Sequence, residues 1–398
     1  MKEKISINNP AYILAIFYIL FYFIDALYKY TRIYSEHLLR LGPLVKGFFI
    51  LLILIYVLLK SDKTKIQILL TIGLLFTGFL IGQFALGIPV NFKENLNVFV
   101  KYQFIFFLSI FMFDIIRTQD AASFVWKKYK MIIFINSLFV ILGALLKIKL
   151  FKTYQGPWRF GYDGLIAAQN EASYFFILAL SLLYYRYFYL NEKNILFWLV
   201  YIASFLIGTK AVLLYTILLT AFHIISKVSI KKLLISVGLG GIIFYAVFNH
   251  LINKFITNAW INFMYFYHKH GFWFAITSGR NVFFENKLIP LISEWGLLNW
   301  LFGGHDIMKH YIEMGFIDLF LFFGLLGFLL YLYLFLRIID KIRFTWKFKS
   351  FFVLALLGIV FISGHFFESA IAGINFIMFI ISTYAVVGEK RLHHNKIS

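Results

Sequence analysis

Short polar stretches set between long apolar runs gather the groups of this chain that could do chemistry. The first, "GPWRFGYDGLIAAQNEASYFF", carries Arg159, Asp163, Asn170 and Glu171. Its glycine-rich bends expose backbone amides, and the planar fork of Arg159 suits a phosphate. Asn170 reads as the N-cap of a following helix and Glu171 as a carboxylate favoured by that helix's dipole. Capping accounts for both of them but not for Arg159. The second stretch, "LIGTKAVLL", places Lys210 inside an otherwise nearly unbroken apolar segment. Following Gly208 and Thr209, Lys210 falls at a helix N-terminus, and it reads equally as part of an anion site or as a lysine snorkelling at a membrane surface.

Further on, "TSGRN" sets Arg280 after a small-residue bend, and the glycine-hinged corner "FGGHD" precedes "KHYIEMGFID". On a helix, His310, Glu313 and Asp318 would approach one face at spacings near i+3 and i+8. His310 and Glu313 as a metal pair would be two ligands without a cysteine or a clear third donor. General-base work, or pairing with a cation, is therefore the stronger reading, and no metal or other cofactor is expected. Collected, these residues form a set of cations with a few carboxylates. Such a set suits a lipid-linked anion whose tail stays in the bilayer while its pyrophosphate meets the cations at the interface.

The elements that must position these groups follow from composition. Over 398 residues, 62% are hydrophobic, 21% aromatic and 14% charged, and the mean hydropathy is +0.83. Those values exclude a soluble globular domain and predict an all-α integral membrane protein, a polytopic bundle of about 12 transmembrane helices forming one domain over 1–398. Apolar runs fall near 10–30, 42–60, 67–87, 96–116, 130–148, 171–190, 195–209, 210–226, 233–249, 315–338, 350–367 and 370–387. The first run is too long for a signal-peptide core and counts as a membrane helix. The net charge of +20 forms no continuous stripe, so no nucleic acid is expected as a partner. Lysines and arginines instead concentrate at the termini and the even-numbered connections, as in Lys127, Lys128 and Lys130 or Lys341, Arg343, Lys347 and Lys349. That bias predicts cytoplasmic termini and puts the long connections 149–170 and 250–314 on the outer side, the second with short helices lying at the interface.

Ionisable residues within the spans read as structural. Lys46, Lys101 and Asp114 lie close enough to helix ends to snorkel, and Asp25 is placed to pair with Lys29 at i+4. The two halves of the chain do not mirror each other and show no paired Gly- or Pro-broken helices, which weighs against a transporter with inverted repeats.

The order of these features resembles the O-antigen polymerase and ligase superfamily of bacterial membrane glycosyltransferases. The likeness covers roughly 155–330 by motif and the rest by helix number. The family pattern "R..G.....N.N" falls on Arg159, Gly161 and Asn170. "SGSRGALL" falls on Gly208, Thr209, Lys210 and Ala211, with Lys in place of Arg, and the loop arginine falls on Arg280. The resemblance implies that Arg159, Lys210 and Arg280 grip the phosphates of undecaprenyl pyrophosphate and stabilise the leaving group without a metal. Ligases carry "HN.YL.LL...GLLG", where this chain has "EMGFIDLFLFFGLLG", putting Glu313 at the histidine's position with His310 one turn earlier. The missing "HN" favours a polymerase, with Glu313 or His310 as base and Asp318 and Glu171 orienting cations or sugar, although the Arg-x10-Gly pattern of some polymerases is absent because Leu291 stands where its glycine would be.

The resulting expectation is an enzyme of the bacterial cytoplasmic membrane with an outward-facing site. It would polymerise undecaprenyl-pyrophosphate-linked repeat units into O-antigen, capsule or exopolysaccharide. Its partners would be the glycan donor and acceptor and the lipid bilayer, together with a chain-length regulator and a flippase. The alternatives are a ligase transferring glycan to lipid A core, a flippase of polysaccharide or lipid-linked oligosaccharide, and a membrane scaffold without chemistry.

Overall fold

The computed structural model describes residues 9–35, 41–87, 90–156, 159–227, 257, 260–261, 263–277 and 279–385. Among them the chain is helical throughout, with no strand beyond an isolated bridge between Lys152 and Tyr162. The first helices are α1 (Pro10–Tyr34), α2 (Gly42–Leu59), α3 (Lys63–Ala85), α4 (Phe92–Ile115), α5 (Gln119–Leu146), α6 (Gln169–Phe188), α7 (Leu196–Leu206) and α8 (Lys210–Lys227). Short pieces follow: α9 (Phe272–Thr277), α10 (Arg280–Phe283), a π-helical turn (Phe284–Leu288), α11 (Ile289–Ser293), α12 (Leu297–Phe302) and α13 (Ile307–His310). Three further helices follow among the described residues, α14 (Gly315–Asp340), α15 (Trp346–Ile362) and α16 (Ala370–Ser382). Six of these, α1 to α5 and α14, are long and apolar enough to cross a membrane, which makes this an all-α, multi-pass membrane architecture.

Local chemistry sets several starts and stops. Asn9 caps α1 by accepting from the Ala11 amide at 3.0 Å, with Pro10 at the first helical position. Asp62 caps α3 through the Lys65 amide at 3.0 Å, and Ser369 caps α16 through the Ala372 amide at 3.1 Å. Gly208 (φ 74°) separates α7 from α8. All the expected apolar runs but one coincide with helices; the run at 233–249 lies outside the described residues. The boundaries move in two places that matter. The fourth helix starts at Phe92 and not at residue 96, and α15 ends at Ile362, short of residue 367.

Helices α6 and α16 form the interior. Nearly every residue of each is buried, apolar on all sides, whereas α2 and α3 show leucines and phenylalanines outward. Polar contacts collect at the two ends of the bundle. At one end Tyr56 and Lys65 meet Asp114, and Arg186 meets Glu192. At the other end, α1 finishes against the 163–167 loop and α6 starts beside the start of α16.

At this second end α14 is broken. Gly324 leaves helical geometry (φ 64°, ψ −172°), and the Gly303-Gly304 corner enters the gap, the Gly304 amide donating to Leu321 O at 3.0 Å. A Cβ on Gly304 would lie 2.3 Å from Gly82 O of α3, and one on Gly82 would lie 2.5 Å from Phe302 O. Asn299 donates to Gly82 O and Gly303 O at 3.0 Å, and Trp295 Nε1 donates to Gly304 O at 3.1 Å. Backbone freed from helical pairing in a nonpolar bundle is thereby satisfied by side chains and by the intruding loop. The sequence reading found no broken helix, because a glycine in an apolar run is as compatible with close helix packing as with a break.

This contact makes Gly304→Ala costly. With φ at 119° and no room for a Cβ, it should destabilise the protein by at least about 2 kcal/mol in a reversible unfolding assay. Gly47→Ala, where a Cβ meets nothing within 4 Å in the interior of α2, should be neutral or stabilising by about 0.5–1 kcal/mol.

Candidate functional site

The loop carrying Arg159 is held from below by α1. Lys29 and Asp163, both almost fully buried, form an ion pair, and Lys29 Nζ also donates to Gly164 O at 2.7 Å. Arg32 donates to Ala167 O, and the Ala167 amide donates to Asp25, both at 2.8 Å. Asn136 of α5 accepts from the Leu165 amide at 2.9 Å and donates to Asp163 O at 3.2 Å. The expected Asp25–Lys29 pairing along α1 is thus corrected. Both side chains reach across to the loop, where otherwise unmatched backbone groups and a buried carboxylate outcompete an i+4 neighbour.

The same loop is pinned to the α7–α8 junction. The Tyr162 amide donates to Leu206 O at 2.8 Å and Thr153 Oγ1 donates to Ile207 O at 2.9 Å, while a Cβ on Gly208 would lie 2.1 Å from Phe160 O. Arg159 and Lys210 are thereby brought to one place, Arg159 lying over the Tyr154 ring at 5.1 Å and Lys210 standing at the first position of α8. Lys210 donates to Ala275 O at 3.0 Å, and both Arg159 and Arg280 lie within electrostatic reach of it. Arg280, half-buried, donates from Nε to Glu313 O at 2.9 Å and from its terminal nitrogen to Glu313 Oε2 at 3.2 Å. The three cations singled out in the sequence therefore converge, with Glu313 beside them.

The other expected residues are arranged differently. The segment between α13 and α14 is not helical, so the helical spacing of His310, Glu313 and Asp318 does not hold. Glu313 sits in a left-handed conformation (φ 65°). Asp318 points back into α14's own entry, accepting from the Ile312 amide at 2.9 Å and the Met314 amide at 2.8 Å. With both carboxylate oxygens engaged and the residue buried, it fixes the turn that presents Glu313, within electrostatic reach of His365 and Glu368. His310 turns toward His305, rings 6.5 Å apart, and its Nδ1 has no hydrogen-bond partner among the described residues. Burial pushes the neighbouring His305 imidazole down to about 4, so it stands neutral. Asn170 is not the cap of α6. Ala168 holds that position without a side-chain bond, and Asn170 lies inside the first turn. Glu171 accepts from Ser369 Oγ at 2.5 Å, tying α6 to the start of α16.

Lys101 departs from expectation, whereas Lys46 lies near the start of α2 as expected. Because α4 starts at Phe92, Lys101 lies nine residues inside it, about 13 Å at the helical rise. The Phe49 and Phe104 rings lie 6.4 Å apart, and Lys46 and Lys101 each stand three positions before them. Both lysines lie within electrostatic reach of Glu171, and Lys101 also of Glu368. At that depth Lys101 is matched by buried carboxylates.

The feature missed in the sequence is the loop between α15 and α16, "SGHFFES". His365, at φ 71°, places Nδ1 2.6 Å from Glu368 Oε1. Tyr311 OH donates to the same oxygen and lies 3.1 Å from His365 Nδ1. Tyr174 OH of α6 donates to Ser363 O at 3.0 Å, and a Cβ on Gly364 would lie 2.9 Å from Glu313 Cα. The loop therefore rests directly on the Arg280–Glu313 pair. Reading the helix through to residue 367 had hidden it; the signal was a histidine and a glutamate three apart in an apolar run.

A cleft of about 620 Å³, lined by Tyr56, Lys60, Asp62, Lys65, Asp114 and Arg117, lies at the opposite end of the bundle. Its carboxylates are already paired, Asp114 with Lys65 at 2.6 Å and Asp62 with Arg117 at 3.2 Å. Its ion pairs tie α3 to α4 and leave the convergent cations as the stronger candidate site.

In comparisons with protein-family models, curated proteins and solved structures, the chain finds no match.

The clamp beneath the site is open to test. Lys29→Met strands a buried carboxylate and should cost about 3–5 kcal/mol of unfolding free energy. Lys29→Met combined with Asp163→Asn should cost clearly less than the sum of the two single changes, as a double-mutant cycle in detergent would measure.

Proposed function

We propose that this protein is a polysaccharide polymerase of the bacterial cytoplasmic membrane. It transfers a growing glycan from undecaprenyl pyrophosphate onto a sugar hydroxyl of an incoming lipid-linked unit. The observation that carries this reading is the convergence of Arg159, Lys210 and Arg280 with Glu313 at one end of an apolar bundle. In a lipid environment three neighbouring cations call for a multiply charged anion, and an anion with a lipid tail reaches such a site by lateral diffusion.

Each residue then has a task. The guanidinium groups offer paired donors to the pyrophosphate oxygens, and Lys210 adds a point charge at the N-terminus of α8. As the anomeric carbon–oxygen bond breaks, charge builds on the departing phosphate, and these cations stabilise it where it forms. Glu313 holds Arg280 in the site through its side chain and its backbone carbonyl. The basic clusters at Lys127, Lys128 and Lys130 and at Lys341 to Lys349 fall toward the opposite end of the bundle. By the positive-inside tendency that end is cytoplasmic, both termini lie there, and the cation site faces outward. The polymerase reading is preferred to a ligase because Glu313 stands where ligases carry histidine.

Arg280→Ala should remove long-chain polymer, lowering chain extension at least about 100-fold, while single repeat units remain on the lipid. Gel ladders of cell-surface glycan from a strain carrying only the variant would show it. Undiminished chain length would overturn the assignment. Complete loss of lipid A-linked glycan would point to a ligase, and units trapped on the cytoplasmic side to a flippase.

A further inference from the structure

We propose that His365 is the general base of this site, oriented by Glu368 and Tyr311. The inference rests on the glycosyl-transfer reading above and adds the proton acceptor which that reading lacks.

Glu313, one of the carboxylates considered as base, is committed to Arg280 by its side chain and by its backbone carbonyl. His310 turns away toward His305, and Asp318 is consumed by two backbone amides. His365 differs from all of these. Its Nδ1 is bonded to Glu368 Oε1 at 2.6 Å, which fixes the proton on Nδ1 and leaves Nε2 as the basic atom. Its side chain keeps 39% of its surface exposed, while Glu368 is largely covered. Tyr311 OH donates to the same carboxylate oxygen and so locks the rotamer of the group that orients the ring.

The rest of the surroundings hold this arrangement against the cations. Gly364 packs on the Glu313 backbone with no room for a side chain. Tyr174 anchors the loop from α6, and Glu171 holds Ser369 at its far end. A histidine in left-handed backbone geometry persists only where its surroundings over-determine it, and here α6, α14 and α16 all take part.

The step balances without a further reactant. His365 Nε2 takes the proton of the acceptor sugar hydroxyl as that oxygen bonds to the donor's anomeric carbon. The bond from that carbon to the pyrophosphate oxygen breaks, and its electron pair leaves with the pyrophosphate, whose charge Arg280, Lys210 and Arg159 meet. Glu368 stabilises the imidazolium formed and keeps its own charge.

The groups facing His365 set its pH dependence. Burial disfavours its charged form, but Glu368, then Glu171 and Glu313, favour it, with the net effect that its proton is held above the ordinary imidazole range. Tyr311 stays protonated, Lys101 acts on Glu368 from α4, and the buried Asp318 of α14 lies within electrostatic reach of both His365 and Glu368. Since the base must be neutral to act, activity should rise with pH along an acidic limb lying above about 6.5.

The test uses the full chain in liposomes of phosphatidylethanolamine and phosphatidylglycerol. Undecaprenyl-pyrophosphate-linked oligosaccharide extracted from the producing cells is supplied as substrate, and chain extension is followed against pH. His365→Gln should lose about 100- to 10,000-fold of the rate and its acidic limb, with thermal unfolding close to the parent. Glu368→Gln should keep measurable activity with the limb displaced to lower pH, because the carboxylate favouring the imidazolium is gone; this arm decides if His365→Gln does not fold. Wild-type rate and limb in both variants would overturn the base assignment and leave the polymerase reading standing. Failure of the parent protein to extend the extracted lipid would overturn both.

Discussion

The buried Lys29–Asp163 pair is the interaction on which the site end of this protein depends. An isolated charge inside an apolar bundle is costly, so each of the two residues holds the other in place, and both are also hydrogen-bonded around the pair. The outcome is mechanical. A loop of glycines and aromatics that would otherwise have many conformations is fixed from Asp163 to Ala167 onto α1 and α5. Its preceding residues are pressed onto the turn between α7 and α8. Arg159 and Lys210, far apart in the chain, become neighbours because of a pair that neither belongs to.

A second constraint supports the other wall. Helix α14 gives up its backbone continuity at Gly324 so that the Gly303-Gly304 corner can seat between α14 and α3. Nonhelical backbone at this depth is tolerable only because Asn299, Trp295 and the intruding amide satisfy it. The reward is rigidity where α13 and α14 meet. Asp318 can then hold the turn that sets Glu313 against Arg280, at a left-handed backbone angle that a looser turn would relax.

Between these walls, charges of both signs stand in graded surroundings. The cations Arg159, Lys210 and Arg280 stand with Glu313, and the buried carboxylates Glu171 and Glu368 are matched by His365, Lys46 and Lys101. In the proposed reaction this arrangement would separate electrostatic binding from proton transfer, since phosphate and hydroxyl need opposite partners.

What the sequence by itself determined is the class of architecture and the identity of the cations. Apolar length compels helices, because a backbone with no water to bond must bond to itself, and this placed α1 to α8 and α14 to α16, within a few residues except at the start of α5, which begins at Gln119 and not near residue 130. Arg159, Lys210 and Arg280 stood out because a fixed positive charge beside an apolar run needs a reason. The tertiary structure alone decided their meeting, the partner of Lys29, the diversion of Asp318 into a backbone clamp and the existence of the His365–Glu368–Tyr311 group. Each of those depends on contacts between residues distant in the chain, or on a helix ending a turn early, and periodicity carries no information about either. Where the segment before α14 leaves helical geometry, counting residues along a helix misled the reading of His310 and Glu313, since a rule of spacing holds only while the backbone keeps its period.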